Sequence, residues 1–120
     1  MRKEIHKLVR DNIPTILDTK NVHYSYHQAD SDEYLKLLLE KVNEEATELQ
    51  KVVTNPHGAM DNTIASEIGD LYEVLDALTI ELGLDPDRIG DIQSKKAEAK
   101  GRFFSRIVLD WIEPNFHSTK

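Results

Sequence analysis

Two segments of this chain repeat apolar residues at helical spacing, and one turn separates them. The first series is Leu35, Leu38, Leu39, Val42, Ala46, Leu49 and Val53, and the second is Ile64, Ile68, Leu71, Leu75, Leu78 and Leu82. Steps of three and four residues are typical of a helix with one apolar side. Asn55, Pro56 and Gly58 lie between the series, where they stop the first helix and reverse the chain. The pattern predicts two long antiparallel helices packed on their apolar sides.

Two further helices are expected. Pro14 is tolerated in a first helical turn, so a short helix is predicted over 14–19. Pro86 also begins a helix, which is predicted to run to about residue 100 before Gly101 ends it. The predicted fold class is therefore all-α: an antiparallel helical bundle built on the two long helices and completed by oligomerisation.

The remaining segments give weaker signals. Residues 22–26 alternate slightly and predict either a short strand or a loop. Residues 103–111 are apolar and could be helical or extended, and residues 114–120 are expected to be a frayed end. The chain has 120 residues, enough for one modest core, so a single domain is predicted over 1–120.

Charge and composition narrow the classes of function. The net charge is −7, which argues against a nucleic-acid polymer as partner because such polymers bind clustered lysines and arginines. There is no cysteine, so disulfides and thiolate metal sites are excluded. No apolar run approaches the length of a membrane span, and no apolar signal-peptide core follows Met1. A cytoplasmic protein without a membrane partner is expected.

Two acidic pairs lie symmetrically about the turn, Glu45 with Glu48 and Glu67 with Asp70. On antiparallel helices, these four carboxylates should converge at two matched levels on one open face. Oxygen ligands without histidine or cysteine suit Mg²⁺ or Mn²⁺. Solvated surface acids are the alternative, but the symmetry favours a metal site. Glu44 points away from the apolar side, as either a solvent-exposed residue or a partner of a metal ligand.

The acidic segments resemble a known family. Residues 44–48 read Glu-Glu-Ala-Thr-Glu and residues 67–70 read Glu-Ile-Gly-Asp. This is similar to the EExxE…ExxD pattern of MazG-like nucleotide pyrophosphohydrolases, which belong to the all-α NTP pyrophosphohydrolase superfamily. Residues 7–14 and the basic stretch 96–103 resemble motifs of one branch, labelled phosphoribosyl-ATP pyrophosphohydrolase-like. That branch has a second glycine where this chain has Arg102.

The resemblance implies hydrolysis of a nucleoside triphosphate between the α and β phosphorus atoms, giving a monophosphate and pyrophosphate. Glu45, Glu48, Glu67 and Asp70 are the candidate Mg²⁺ ligands. Glu44 or Glu48 is the candidate catalytic base that accepts the proton of the attacking water. A triphosphate carries about four negative charges, so cations must assist the metal. The candidate phosphate-binding residues are Lys96, Lys100, Arg102, Lys7 and Arg10, for which surface salt bridges and helix-dipole contacts are the alternative.

A hairpin with one helix on each side buries little surface, so a homodimer or homotetramer is expected, with a nucleotide as substrate. Two alternatives stay open. One is a phosphoribosyl-ATP pyrophosphohydrolase of histidine biosynthesis, which performs the same chemistry on a different nucleotide. The other is a catalytically silent helical interaction module.

Overall fold

The computed structural model describes residues 1–55 and 61–114. Over these residues the chain forms four helices and no strand: α1 (Ile13–Thr19), α2 (Ser31–Thr54), α3 (Asp61–Glu81) and α4 (Pro86–Lys100). The all-α prediction is confirmed for this part of the chain. Most of the predicted turn at 55–58, and residues 115–120 of the predicted frayed end, lie outside the described residues.

Local capping chemistry sets the start of α2. The side chain of Asp30 accepts a hydrogen bond of 2.9 Å from the backbone N–H of Glu33. This bond satisfies one of the N–H groups that a helix leaves unpaired at its beginning. Asp32 and Glu33 add negative charge to the first turn, where the helix dipole favours it. The predicted start of this helix is therefore confirmed.

Two glycines follow the ends of α3 and α4. Gly83 has a φ of 68° and Gly101 a φ of 83°, both in the left-handed region that glycine enters without strain. After Gly83, the backbone N–H of Leu84 donates to the carbonyl of Thr79 at 3.0 Å, which closes the last turn of α3. The predicted helix over residues 86–100 is confirmed at both ends.

Two segments that the sequence left open contain no regular structure. Residues 22–26 form a loop, in which the hydroxyl of Tyr24 donates to Asp18 at 2.7 Å and the ring of Tyr24 stacks on Tyr26. This hydrogen bond raises the pKa of the Tyr24 hydroxyl. Residues 103–111 contain neither helix nor strand, and the aromatic residues Phe103 and Phe104 are almost fully exposed.

The chain divides into two compact units, Met1–Asp85 and Pro86–Lys120. In the first unit, α2 and α3 pack against each other. Only six residues separate the end of α2 from the start of α3, too few to span the length of either helix, so the two packed helices run antiparallel. Among the described residues, Leu38 on α2 is the sole buried one. No helix in the described ranges has the length and apolar character needed to cross a membrane.

The orientation of α2 differs from the one that its apolar residues predict. Leu39 and Val53 belong to the apolar series, yet they are 50% and 56% exposed. The side chain of Glu45 is only 13% exposed. The helix is therefore rotated so that one acid faces the partner helix while part of the apolar side faces outward.

Candidate metal centre

Three carboxylates from two helices converge beside the α2–α3 contact. Glu45 projects from α2, and Glu67 and Asp70 project from α3, three residues apart. One carboxylate oxygen of each residue lies within 4.8 Å of the corresponding oxygens of the other two. The side chains are partly buried. Since α3 supplies two acids at i, i+3 spacing, both reach the same point on its surface.

The electrostatics of this group favour a cation. Partial burial raises the pKa of Glu45, and the negative charges of Asp70, Glu44 and Glu67 raise it further. Lys41 acts in the opposite direction, with its Nζ atom 3.9 Å from Oε1 of Glu45, but it does not cancel the effect. The negative charge of ionised Glu45 is therefore not balanced by the nearby positive charge of Lys41. A divalent ion among three carboxylate oxygens would supply that charge, and such oxygens are the ligands that Mg²⁺ and Mn²⁺ prefer.

Glu48, the fourth predicted ligand, lies outside this group of three. Its carboxylate accepts a hydrogen bond of 3.4 Å from Lys51, and its side chain is 47% exposed. A helix turns by about 100° per residue, so Glu48 points about 60° further from α3 than Glu45 does. The structure thus brings together three of the four predicted acids and leaves Glu48 at the rim.

Glu44 forms ion pairs rather than facing solvent alone. Its carboxylate accepts a hydrogen bond of 3.2 Å from Lys7 and lies 3.5 Å from Nζ of Lys41. Burial would raise the pKa of Glu44, but the hydrogen bond from Lys7 and the charge of Lys41 outweigh that effect and lower it. Glu44 is therefore held ionised, which makes it a weaker proton acceptor than an ordinary glutamate.

Arg10 connects the N-terminal segment to the acids of α3. Its guanidinium donates to Asp70 at 2.8 Å and to Glu73 at 3.5 Å. With the Lys7–Glu44 pair, this contact holds the segment before α1 across both long helices. The sequence predicts that Lys7 and Arg10 bind substrate phosphates, and it does not single out Glu73. No local spacing could have indicated these pairs, because the partners are 37, 60 and 63 residues apart.

A groove of about 410 Å³ runs between the N-terminal segment and the outer side of α2. Three lysines line it, Lys7, Lys41 and Lys51, and so do Glu44 and Glu48. Lys41 also approaches Glu45, so the groove begins next to the acidic group. Mixed charges of this kind match a ligand that carries both anionic phosphates and a bound cation.

The remaining predicted phosphate ligands belong to the second unit. Lys96 and Lys100 lie one turn apart near the end of α4, and Arg102 follows Gly101. All three side chains are exposed. Their role at a phosphate stays a prediction.

Comparison of the chain with family models, with curated proteins and with solved structures gives no match in any of the three.

Proposed function

We propose that the protein is a Mg²⁺-dependent nucleoside triphosphate pyrophosphohydrolase. The observation that carries this proposal is the convergence of Glu45, Glu67 and Asp70, which lie on two different helices, within 4.8 Å of one another. The motif resemblance to MazG-like enzymes adds the reaction, cleavage between the α and β phosphorus atoms. The same proposal includes Mn²⁺ as a substitute ion, a cytoplasmic location and a homo-oligomeric assembly.

In this proposal, Glu45, Glu67 and Asp70 hold the ion. When bound, Mg²⁺ would polarise the phosphate oxygens and lower the pKa of a coordinated water. Glu48 is the better candidate for the catalytic base. It lies outside the group of three and is more exposed than Glu44, and one lysine contacts it. Glu44 instead positions Lys7 and Lys41 at the edge of the groove.

The cations of the chain would bind the polyphosphate. Lys7 and Lys41 line the groove beside the acidic group, and in this proposal they pair with phosphate oxygens. Arg10 contacts Asp70, and its five N–H groups could serve a carboxylate and a phosphate at once. Lys96, Lys100 and Arg102 are proposed to hold the pyrophosphate that leaves.

The test is pyrophosphate release from a panel of nucleoside triphosphates, with and without Mg²⁺. The wild-type chain should release pyrophosphate and a nucleoside monophosphate, identified by phosphorus NMR, and only when the metal is present. Glu67→Gln should abolish the reaction, while Asp76→Asn, which changes an exposed acid of the same helix outside the group, should not. Orthophosphate with a nucleoside diphosphate would indicate another phosphatase class, and absence of any product would favour the interaction module.

A further inference from the structure

The N-terminal segment, residues 1–12, lies across the α2–α3 hairpin with few of the contacts that normally fix a segment in place. It contains no helix or strand, and Leu8 is the sole partly buried residue of this range. Among the described residues, no backbone hydrogen bond joins the segment to either long helix. Segments with little burial and no backbone pairing open at low cost in free energy. The position of this segment therefore depends on a few side-chain contacts.

Two cations of the segment hold it on the hairpin. Lys7 pairs with Glu44 of α2 at 3.2 Å. Arg10 pairs with Asp70 of α3 at 2.8 Å and more loosely with Glu73, one turn further along, at 3.5 Å. Both cations are more than half exposed, and ion pairs of this kind contribute little to stability because water and salt screen them. A competing charge can therefore displace them.

The same segment forms one wall of the groove beside the acidic group. Lys7 and Leu8 line the groove on one side, and Leu37, Lys41 and Glu44 of α2 are among the residues that line the other. Leu8 and Leu37 are both partly buried. Displacement of the segment away from α2 therefore widens the groove, and its return narrows the groove again.

Arg10 and a divalent ion require the same carboxylate. Asp70 belongs to the group of three with Glu45 and Glu67, and it is also the acid to which Arg10 donates. Two positive charges at one carboxylate repel each other, and a divalent ion carries twice the charge of a guanidinium. Arg10 thus acts as a built-in cation at one edge of the acidic group.

We propose that the N-terminal segment is a latch that a divalent ion opens, an inference that rests on the metal centre of the proposed function and adds its regulation. An ion at the acidic group repels the guanidinium of Arg10, which leaves Asp70. Residues 8–12, between Lys7 and α1, then lose their contact with α3, and the groove widens for the nucleotide. Metal binding therefore precedes and promotes entry of the nucleotide. Because such coupling is reciprocal, the closed latch weakens metal binding.

Thiol reactivity measures the opening without reference to catalysis, because the chain has no cysteine. Leu8→Cys places one thiol at the partly buried position of the segment. Mg²⁺ should raise its rate of reaction with an uncharged thiol reagent about two- to fivefold, the factor that loss of an exposed ion pair implies. The increase should follow the occupancy of the ion, measured by calorimetry on the same variant. Ile80→Cys is the control, a thiol at a 77% exposed position of α3 whose rate should not change.

Two further substitutions, each combined with Leu8→Cys, separate the latch from the metal centre. Asp70→Asn removes the carboxylate that holds Arg10, so the thiol should react at the faster rate with or without Mg²⁺. Glu67→Gln removes a candidate metal ligand but leaves both contacts of Arg10 in place. The thiol in that variant should keep the slower rate in both conditions.

Tryptic cleavage of the unaltered chain provides a second measurement, in case Leu8→Cys itself loosens the segment. Mg²⁺ should speed cleavage after Arg10, whose side chain becomes available to the protease, relative to cleavage after Lys20, an exposed residue beyond α1. A chain that binds no ion would overturn both the metal centre and the latch. Ion binding that changes neither the thiol rate nor cleavage after Arg10 would overturn the latch alone, and so would a slow thiol in the Asp70→Asn variant.

Discussion

The guanidinium of Arg10 donates a 2.8 Å hydrogen bond to Asp70, one of the three carboxylates that converge between α2 and α3. The same arginine also contacts Glu73, which is not part of that group. Arg10 therefore neutralises some of the negative charge that a metal ion would use. We expect Arg10 and a divalent ion to compete for Asp70, with the released arginine free to meet a substrate phosphate.

Replacing Arg10 should strengthen metal binding. In Arg10→Gln, Asp70 loses its cationic partner, so the apparent Kd for Mg²⁺, measured by calorimetry, should fall about two- to fivefold. That change corresponds to the roughly 0.5–1 kcal/mol that an exposed ion pair contributes. Lys7→Gln is the matched control, because Lys7 lies in the same segment but pairs with Glu44, outside the group of three. An equal gain in both variants would attribute the effect to net charge alone.

Mg²⁺ or Mn²⁺ should raise the thermal stability of the wild-type protein, because a ligand that binds only the folded state stabilises it. At a hundredfold excess over Kd, the gain is about 2.7 kcal/mol in the free energy of unfolding. Glu67→Gln should remove most of this gain, whereas Asp76→Asn should retain it. Melting curves with and without the ion decide the matter, and an undiminished shift in Glu67→Gln would rule out the proposed centre.

The raised pKa of Glu45 makes stability depend on pH in a defined direction. The folded state holds the proton of Glu45 more tightly than the unfolded state, where the pKa is near its ordinary value of 4.5. The favourable contribution is therefore complete below pH 4.5 and is lost as the pH rises through the raised pKa of the folded state. Above that range, ionised Glu45 destabilises the metal-free protein.

Glu45→Gln should abolish this decrease in the free energy of unfolding with rising pH. At neutral pH without metal, the variant should be more stable than the wild type by roughly 0.5–1 kcal/mol. Repulsion from Asp70, Glu44 and Glu67, at about 0.2–0.5 kcal/mol each, disappears, and the attraction of Lys41 is lost in exchange. It should also lose its response to Mg²⁺. Urea unfolding at several pH values measures both effects. A variant less stable than the wild type at neutral pH would show that the pairing of Glu45 with Lys41 outweighs the repulsion.

Lys100 tests the role of the basic end of α4. If Lys100 binds a phosphate, Lys100→Ala should lower kcat/KM roughly five- to 150-fold, which corresponds to about 1–3 kcal/mol of lost transition-state stabilisation. The factor should be the same for two different nucleoside triphosphates. Lys100 also lies in the last turn of α4, where a cation stabilises the helix. If that is its only role, the variant should lose about 0.3–1 kcal/mol of stability and keep its kcat/KM.

The sequence by itself determined where the helices lie. The local signals are the N-cap Asp30, the proline Pro86 at a helix start, and the glycines Gly83 and Gly101 after helix ends. Each of them acts on groups within four or five residues. Such local effects can be predicted from the order of residues, and so can the i, i+3 relation of Glu67 and Asp70. The symmetry of the acids about the turn also predicted that Glu45 would lie close to Glu67 and Asp70. That contact requires only that α2 and α3 form an antiparallel hairpin.

Only the tertiary structure decided which side of each helix faces which neighbour. The apolar series placed Leu39 and Val53 with Leu38, but the packed hairpin turns Glu45 towards α3 and leaves both of them exposed. Likewise, Arg10 reaches Asp70 across 60 residues of chain. Periodicity defines an apolar side only within several tens of degrees, whereas the rotation of a helix depends on the sum of all contacts and charges at its interface. That rotation brings Glu45 to Glu67 and Asp70, and it is why a metal centre can form on this pair of helices.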